Sequence, residues 1–268
     1  MRTNESIIAQ VLGRLVDSCD NFLVEPWYGI DDDIKSPYKW LCDHFDHDEP
    51  DEIALIGFSR GAYTVRSLAG LIGKFGIFKF TGSRYSEEQR WSHVSGLYRD
   101  YRQRKDGPSE NVSRSADVRI RFLGVFDTVG ALGIPPDFNF TRRMFSRRKY
   151  QFHDTVLGNK VDTARHALAM DERRLSFTPT LWTNTESNRD VEQLWFPGVH
   201  GDVGGSYAER GLGDVTPNWM IDAAMECGFE FQADSETKLT PIIEVCFTTL
   251  SKAVLAICVH SHEQYRIC

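Results

Sequence analysis

The stretch EIALIGFSRGAYTVRSLAGLIG, from Glu52 to Gly73, decides how the rest of the sequence is interpreted. It opens with the continuous apolar run IALIGF, which is typical of a strand buried on both faces of a parallel sheet. Small and apolar residues then follow at helical spacing. Between the two parts stands Ser59, with Gly57 and Gly61 on either side. The stretch therefore predicts a strand and a helix joined by a tight turn at one serine.

A Gly-x-Ser-x-Gly turn between a strand and a helix is the nucleophile elbow of α/β hydrolases. There a strained backbone holds the serine oxygen above the sheet, and a side chain at position 57 or 61 would collide with the strand or the helix. The N–H group of Arg60 lies at the N-terminus of the predicted helix, where it can donate to an oxyanion. A phosphate-binding loop is excluded, because no Gly-Lys-Ser/Thr sequence follows.

A nucleophilic serine needs a base, and the base needs a carboxylate that orients it. In this fold the acid follows the serine along the chain and the histidine comes last. Asp127 ends the apolar run VRIRFLGVFD, and His200 follows the run VEQLWFPGV. We therefore predict a triad of Ser59, Asp127 and His200, with Asp202 as the alternative acid. Weaker candidates for the base, which do not follow a glycine-flanked strand end, are His153, His166, His260 and His262.

Helical segments alternate with these apolar runs. The pattern predicts helices over 5–17, 34–45, 87–105, 160–172 and 216–227, and a short strand within NFLVEPWYG at 21–29. Strands that alternate with helices indicate an α/β fold with a mainly parallel sheet flanked by helices. The length of 268 residues fits one such domain, over residues 1–268.

Composition limits the classes of partner. A net charge of −7 argues against nucleic acid as the main partner. Six cysteines without a CxxC pair argue for buried thiols in a reducing compartment and against a zinc site. Residues 1–21 are amphipathic rather than a signal peptide, and the apolar run AVLAICVH is too short to span a bilayer. We therefore expect a soluble, cytoplasmic protein.

Two further segments carry an interpretation that involves ligands. The loop with His44, Asp46, His47 and Asp48 could bind a metal, but it lacks a regular spacing, and a solvated turn is favoured. Residues 135–152, PPDFNFTRRMFSRRKYQF, combine aromatic with basic side chains. They could form a lid that contacts anionic head groups, or a surface excursion with its aromatic residues packed inward.

Three arginines in the predicted 160–172 helix and just after it also have two possible roles. They could contact a phosphate, or they could form salt bridges with Asp171 or Glu172 and with neighbouring elements, which we favour. These arginines are Arg165, Arg173 and Arg174.

Four ordered blocks resemble the α/β-hydrolase domain of type VI secretion phospholipase effectors, a family abundant in fungi and bacteria. They are GFSRGAYTVRSLAGLIG, FLGVFDTVGALGIP, HALAMDERRLSFTPTLW and LWFPGVHGDVGGSYAERGLGDVTPNWMIDAA. The resemblance covers about 25–230 and leaves a divergent C-terminal segment, 231–268. It implies a triad of Ser59, Asp127 and His200 and the hydrolysis of phospholipid acyl esters.

The same resemblance leads to expectations about the strands of the sheet and about the reaction. The family begins with a strand that ends in Asp-Gly-Thr, and no such sequence occurs here, so we expect the sheet to lack its first strand or strands. The expected function is a serine hydrolase acting on carboxylic esters, most of all (phospho)lipid acyl esters, with possible peripheral membrane contact. It needs no cofactor and no metal. The alternative is an inactive hydrolase fold that serves in binding, and the oligomeric state stays open.

Overall fold

Four parallel strands form the centre of the structure, which is a computed structural model. The structure describes residues 30–48, 50, 52–80, 84–129, 156–183, 190–207, 210–229, 254–259 and 266–267. The strands within these ranges are β1 (Glu52–Phe58), β2 (Ile77–Phe78), β3 (Arg114–Ser115), β4 (Ile120–Phe126), β5 (Val161–Ala169), β6 (Asp190–Phe196), β7 (Val254–Val259) and β8 (Arg266–Ile267).

Among the described strands, six form one sheet in the order β6-β5-β4-β1-β7-β8, and β2 pairs with β3 separately. The neighbours β6, β5, β4 and β1 are parallel, and β7 is antiparallel to β1. Parallel neighbours end at the same edge of a sheet, so the loops after β1, β4 and β6 open towards one cleft.

Helices cover both faces of this sheet. Those of the described part of the chain are α1 (Ile30–His44), α2 (Arg60–Phe75), α3 (Glu87–Arg102), α4 (His200–Val203), α5 (Arg210–Gly213) and α6 (Val215–Glu226), with a 3₁₀ turn at Leu175–Phe177. The predicted α/β fold with a mainly parallel sheet flanked by helices is thus confirmed. The predicted helices 34–45, 87–105 and 216–227 correspond to α1, α3 and α6.

The side chains of β1 show why its sequence is apolar throughout. Ile53 and Leu55 pack in one core cluster with residues of α1, α2 and α3. Ala54, Ile56 and Phe58 point to the opposite face and pack in a second cluster with α6. Both faces of the strand are therefore buried, as the continuous apolar run predicted.

The predicted helix over 160–172 is wrong, because Val161–Ala169 form strand β5. The alanines and leucine of this segment favour a helix, but that preference is weak, and hydrogen bonding to two neighbouring strands overrides it. Arg165 consequently points towards β6, where it forms ion pairs with Asp190 and Glu192. The favoured salt bridge to a neighbouring element is correct for this arginine.

The edge of β1 that faces away from β4 is where the missing first strand was expected, and that absence stays a prediction. Within the described residues no strand precedes β1, but its edge is paired with β7, from Glu52 opposite Val259 to Gly57 opposite Val254. β7 thus satisfies the backbone hydrogen-bonding groups along this edge of β1.

Several predictions concern parts of the chain outside the described residues. They are the helix 5–17, the strand within 21–29, the segment 135–152 and the histidines His153, His260 and His262. Within the described part of the chain, no helix has both the length and the apolar character that a membrane crossing requires.

The end of β1 and the first turn of α2 approach each other closely at Gly57. A Cβ atom added at Gly57 would lie 2.5 Å from the carbonyl oxygen of Gly61 in the first turn of α2. Such a contact is shorter than any that carbon and oxygen adopt in a stable core. The predicted collision at position 57 is therefore confirmed.

We expect Gly57→Ala to lower the free energy of unfolding by about 3 kcal/mol, because the strand and the helix must separate to admit the methyl group. Gly107→Ala is the control, since an added Cβ there meets nothing within 4 Å. Urea unfolding of both variants checks this, and equal stability of the two would contradict it.

Candidate active site

Ser59 lies between β1 and α2 with a backbone φ of 56° and ψ of −115°. A positive φ is unfavourable for a residue with a side chain and is retained only where the surroundings enforce it. Here the Ser59 N–H group donates to the carbonyl of Phe126 at 2.9 Å, which fastens the turn to the end of β4. The strained turn holds a nearly buried hydroxyl at the carboxyl edge of the sheet.

The imidazole of His200 lies against this hydroxyl. Its Nε2 is 2.9 Å from Ser59 Oγ, although the two residues are 141 positions apart in the chain. His200 begins α4, directly after a loop in which Gly198 has a φ of 105°. The side chain of His200 is 8% exposed, so water has little access to this contact.

Asp127 holds the other nitrogen of the ring. Its Oδ2 is 2.6 Å from His200 Nδ1, and its side chain is 1% exposed. A carboxylate only accepts hydrogen bonds, so Nδ1 carries the hydrogen and Nε2 is left to accept from the Ser59 hydroxyl. The structure thus brings together the three residues that the sequence nominated, in hydrogen-bonding order.

Asp202, the alternative acid, has a different partner. Its Oδ2 accepts a hydrogen bond from the Val199 N–H group at 2.8 Å. This contact ties the first turn of α4 to the residue before it. The acid beside the imidazole is Asp127, and Asp202 shapes the turn that carries His200.

Two aromatic rings flank the imidazole. The ring centroid of Phe58 lies 4.5 Å from that of His200, and the centroid of Phe177 lies 4.6 Å away at a steep angle. The guanidinium of Arg174 lies over the ring of Phe177, 3.7 Å from its centroid. The sequence analysis did not predict either phenylalanine as a neighbour of His200, because nothing in the sequence distinguishes them from other apolar residues.

Arg60 begins α2 immediately after Ser59, as expected for an oxyanion donor. Its side chain is buried and lies close enough to Asp33 to oppose the effect of burial there. Burial nonetheless raises the pKa of the Asp33 carboxyl to about 6, with a smaller contribution from Asp32. The N-terminus of α1 therefore brings an acidic group towards the elbow.

His166, one of the weaker candidates for the base, has other partners. Its ring is completely buried in β5, where Nε2 accepts from the Thr128 N–H group at 3.3 Å and Nδ1 lies 3.2 Å from Gln193 Oε1. Burial, and to a smaller extent the charge of Arg66, lowers the pKa of this imidazole to about 3. His166 is therefore neutral at physiological pH.

The residues of the candidate metal loop have separate partners. His44 Nδ1 lies near the Trp40 carbonyl, His47 Nδ1 near the Ser115 hydroxyl, and Asp46 accepts from the Asp48 N–H group. Among the described residues, no three His, Cys, Asp or Glu side chains are grouped as a metal would require. The favoured interpretation as a turn remains a prediction.

Fold and site together define an α/β-hydrolase-like domain. Residues 24–223 match the family described as "T6SS, Phospholipase effector Tle1-like, catalytic domain". The match covers most of the chain, and the protein belongs to this family. The predicted family is thereby confirmed.

Two relatives extend this comparison. The chain is 31% identical over 172 residues to the uncharacterized protein YEL023C of Saccharomyces cerevisiae, a match that covers 57% of this chain and 22% of the relative. It is also similar to an uncharacterized protein from Pseudomonas aeruginosa of known crystal structure, at 23% identity and a TM-score of 0.37. That match covers 65% of this chain and 23% of the other. The chain thus spans less than a quarter of the length of either relative.

The buried neutral imidazole of His166 predicts a loss of stability in acid. Its pKa is about 3 in the folded state and about 6.5 in the unfolded chain. Unfolding therefore takes up a proton between these values, and the free energy of unfolding falls as the pH is lowered from about 6.5. The expected contribution between pH 7 and pH 5 is about 2 kcal/mol.

Urea unfolding of the wild type and of His166→Gln at pH 7 and pH 5 measures this contribution. The difference in stability between the two proteins should shrink at pH 5, because only the wild type loses stability through this group. A difference that is constant with pH would contradict the prediction.

Proposed function

We propose that the protein is a serine hydrolase that cleaves carboxylic esters, with (phospho)lipid acyl esters as its substrates. Membership of a phospholipase effector family supports a hydrolase acting on lipids. The observation that carries the finer proposal is the hydrogen-bonded chain from Ser59 Oγ through the His200 ring to Asp127. Such a chain is how a hydroxyl becomes a nucleophile near neutral pH.

In the first step, Ser59 Oγ attacks the ester carbonyl carbon while His200 Nε2 takes the hydroxyl proton. Asp127 holds the imidazole in the required tautomer and stabilises the imidazolium. The oxyanion accepts a hydrogen bond from the backbone N–H group of Arg60 at the helix N-terminus. When the tetrahedral intermediate collapses, the carbon–oxygen ester bond breaks and the leaving alcohol takes the proton from His200.

In the second step, a water molecule takes the place of the alcohol. His200 removes its proton as the oxygen attacks the acyl carbon, and Ser59 leaves with the proton returned by the imidazole. The products are a carboxylic acid and the free enzyme. The chemistry uses side chains and backbone groups alone.

Exposed apolar residues beside the site support a substrate presented at a lipid surface. The side chain of Leu175 is 80% exposed, and Met170 is 59% exposed at the end of β5. Both lie in the segment that leads to Phe177, which contacts the imidazole. We include peripheral contact with a membrane, from the cytoplasmic side, in this proposal.

We expect Ser59→Ala to lower kcat on a soluble ester and on phospholipid vesicles by at least about 10⁴-fold, because no other group can take the place of the nucleophile. Labelling by a fluorophosphonate probe should vanish in the same variant. Ser67→Ala, in the same helix, is the control and should retain both activities.

A folded wild-type protein that neither reacts with the probe nor hydrolyses either substrate would contradict the proposal. That result would favour the alternative, an inactive hydrolase fold that acts in binding. Release of fatty acid from phospholipid vesicles by the wild type, but not by the Ser59→Ala variant, would support the lipid substrate.

A further inference from the structure

We propose that residues 166–174, the last part of β5 and the turn after it, form a positioning element that fixes both partners of the nucleophile. This inference rests on the proposed function and adds roles for His166 and Glu172. Neither residue touches the reacting atoms. Each holds a loop that carries a residue of the triad.

The position of β5 in the sheet makes this double role possible. β5 lies between β4, which ends before Asp127, and β6, which ends before the His200 loop. It extends two residues beyond the end of β4 on the cleft side and ends level with β6, where Ala169 pairs with Phe196. One continuous segment can therefore bond to the loop on each side of it.

Three contacts join this segment to the Asp127 turn. The Asp127 N–H group donates to the Ala167 carbonyl at 2.7 Å, and the Ala169 N–H group donates to Asp127 Oδ1 at 3.2 Å. The next N–H group, that of Thr128, donates to the ring of His166. Asp127 has a φ of 39°, so its turn is strained and needs these contacts to keep its shape.

The contacts to the His200 loop begin two residues later. Asp171 forms a reciprocal pair with Gly198, since its N–H group donates to the Gly198 carbonyl at 3.0 Å and its carboxylate accepts from the Gly198 N–H group at 2.7 Å. Glu172 Oε2 then accepts from the His200 N–H group at 3.3 Å. The backbone of the base itself is thus held by a carboxylate.

Arg174 braces this carboxylate. Its Nε and its backbone N–H group both donate to Glu172 Oε1, at 2.9 and 2.8 Å, and its Nη2 donates to Oε2 at 2.6 Å. The Glu172 side chain is 6% exposed, and the hydrogen bonds from Arg174 lower its pKa to about 2. The same guanidinium stacks on Phe177, so one residue supports both the base and a ring beside it.

A displacement of either loop would lengthen the contact between Ser59 and His200, and the rate of attack is sensitive to such small changes. We expect Glu172→Gln to slow both kcat on p-nitrophenyl butyrate and the rate of Ser59 labelling by a fluorophosphonate by about 10- to 100-fold. KM should stay within about threefold, because the substrate-binding surface is unchanged.

Asp162→Asn is the matched control for this variant. Asp162 pairs with Arg119 through the same two guanidinium nitrogens, Nε and Nη2, in a contact that joins β5 to the residue before β4. It lies at the opposite end of β5 from Glu172. This variant removes a comparable ion pair and should label and turn over at the wild-type rate.

His166 provides an independent test on the acid side. His166→Leu removes the acceptor for the Thr128 N–H group and should lower kcat by a similar factor. His166→Gln retains an acceptor at the position of Nε2 and should restore most of the loss. A role in stability alone predicts no such recovery of kcat at temperatures where both variants are fully folded.

Wild-type labelling rates in both Glu172→Gln and His166→Leu would overturn the inference and leave the proposed function intact. The same holds if Asp162→Asn slows the reaction as much as Glu172→Gln, or if KM rises while kcat is unchanged. Absence of labelling in the folded wild type would overturn the proposed function and this inference with it. If Glu172→Gln does not fold, Arg174→Lys tests the same contact, because lysine cannot bond both carboxylate oxygens in a fixed geometry.

Discussion

The absence of a side chain at Gly57 is the constraint on which the site depends. It allows the end of β1 to approach the first turn of α2 so closely that the chain must reverse at Ser59 with a positive φ. That reversal points the hydroxyl out of the sheet and places it in front of a helix N-terminus. The hydrogen bond from the Ser59 N–H group to the Phe126 carbonyl then ties Ser59 to β4, the strand that ends before Asp127. The contacts of Ser59 and Asp127 with His200 depend on this arrangement.

β5 and the turn after it hold two buried polar residues in opposite charge states. His166 is buried without a charge, because burial disfavours the protonated ring, and its ring nitrogens are satisfied by a backbone N–H group and an amide oxygen. Glu172 keeps its charge in a nearly buried position, because Arg174 and two backbone N–H groups surround it. A buried polar group is tolerated only with partners of this kind. The polar character of His166 and Glu172 is thus explained by the loops to which they bond.

The sequence was informative where one local pattern decided the structure. The apolar runs before Ser59 and Asp127 predicted two strands, and the residues after the runs, taken in the order that the hydrolase fold prescribes, gave the candidate triad. The sequence failed at β5, since an alanine-rich segment with polar residues resembles a surface helix until two neighbouring strands are known. It also missed Glu172 and Phe177 as neighbours of His200, because their contacts are with residues far along the chain. The pairing of β7 with β1 is equally non-local and left no signal in either segment.

The ring of Phe58 connects β1 with the imidazole of His200. Phe58 is the last residue of β1, and its ring packs both in the core beside α6 and against the imidazole. Gly204 borders the same ring so closely that a Cβ atom there would lie 2.3 Å from Phe58 Cζ. Any larger residue at 204 would tilt the ring into the imidazole or lift it out of the core. The setting of the His200 imidazole is therefore determined partly by a glycine, through the ring of Phe58. Gradual loosening of the core by heat should displace the imidazole before the strands separate.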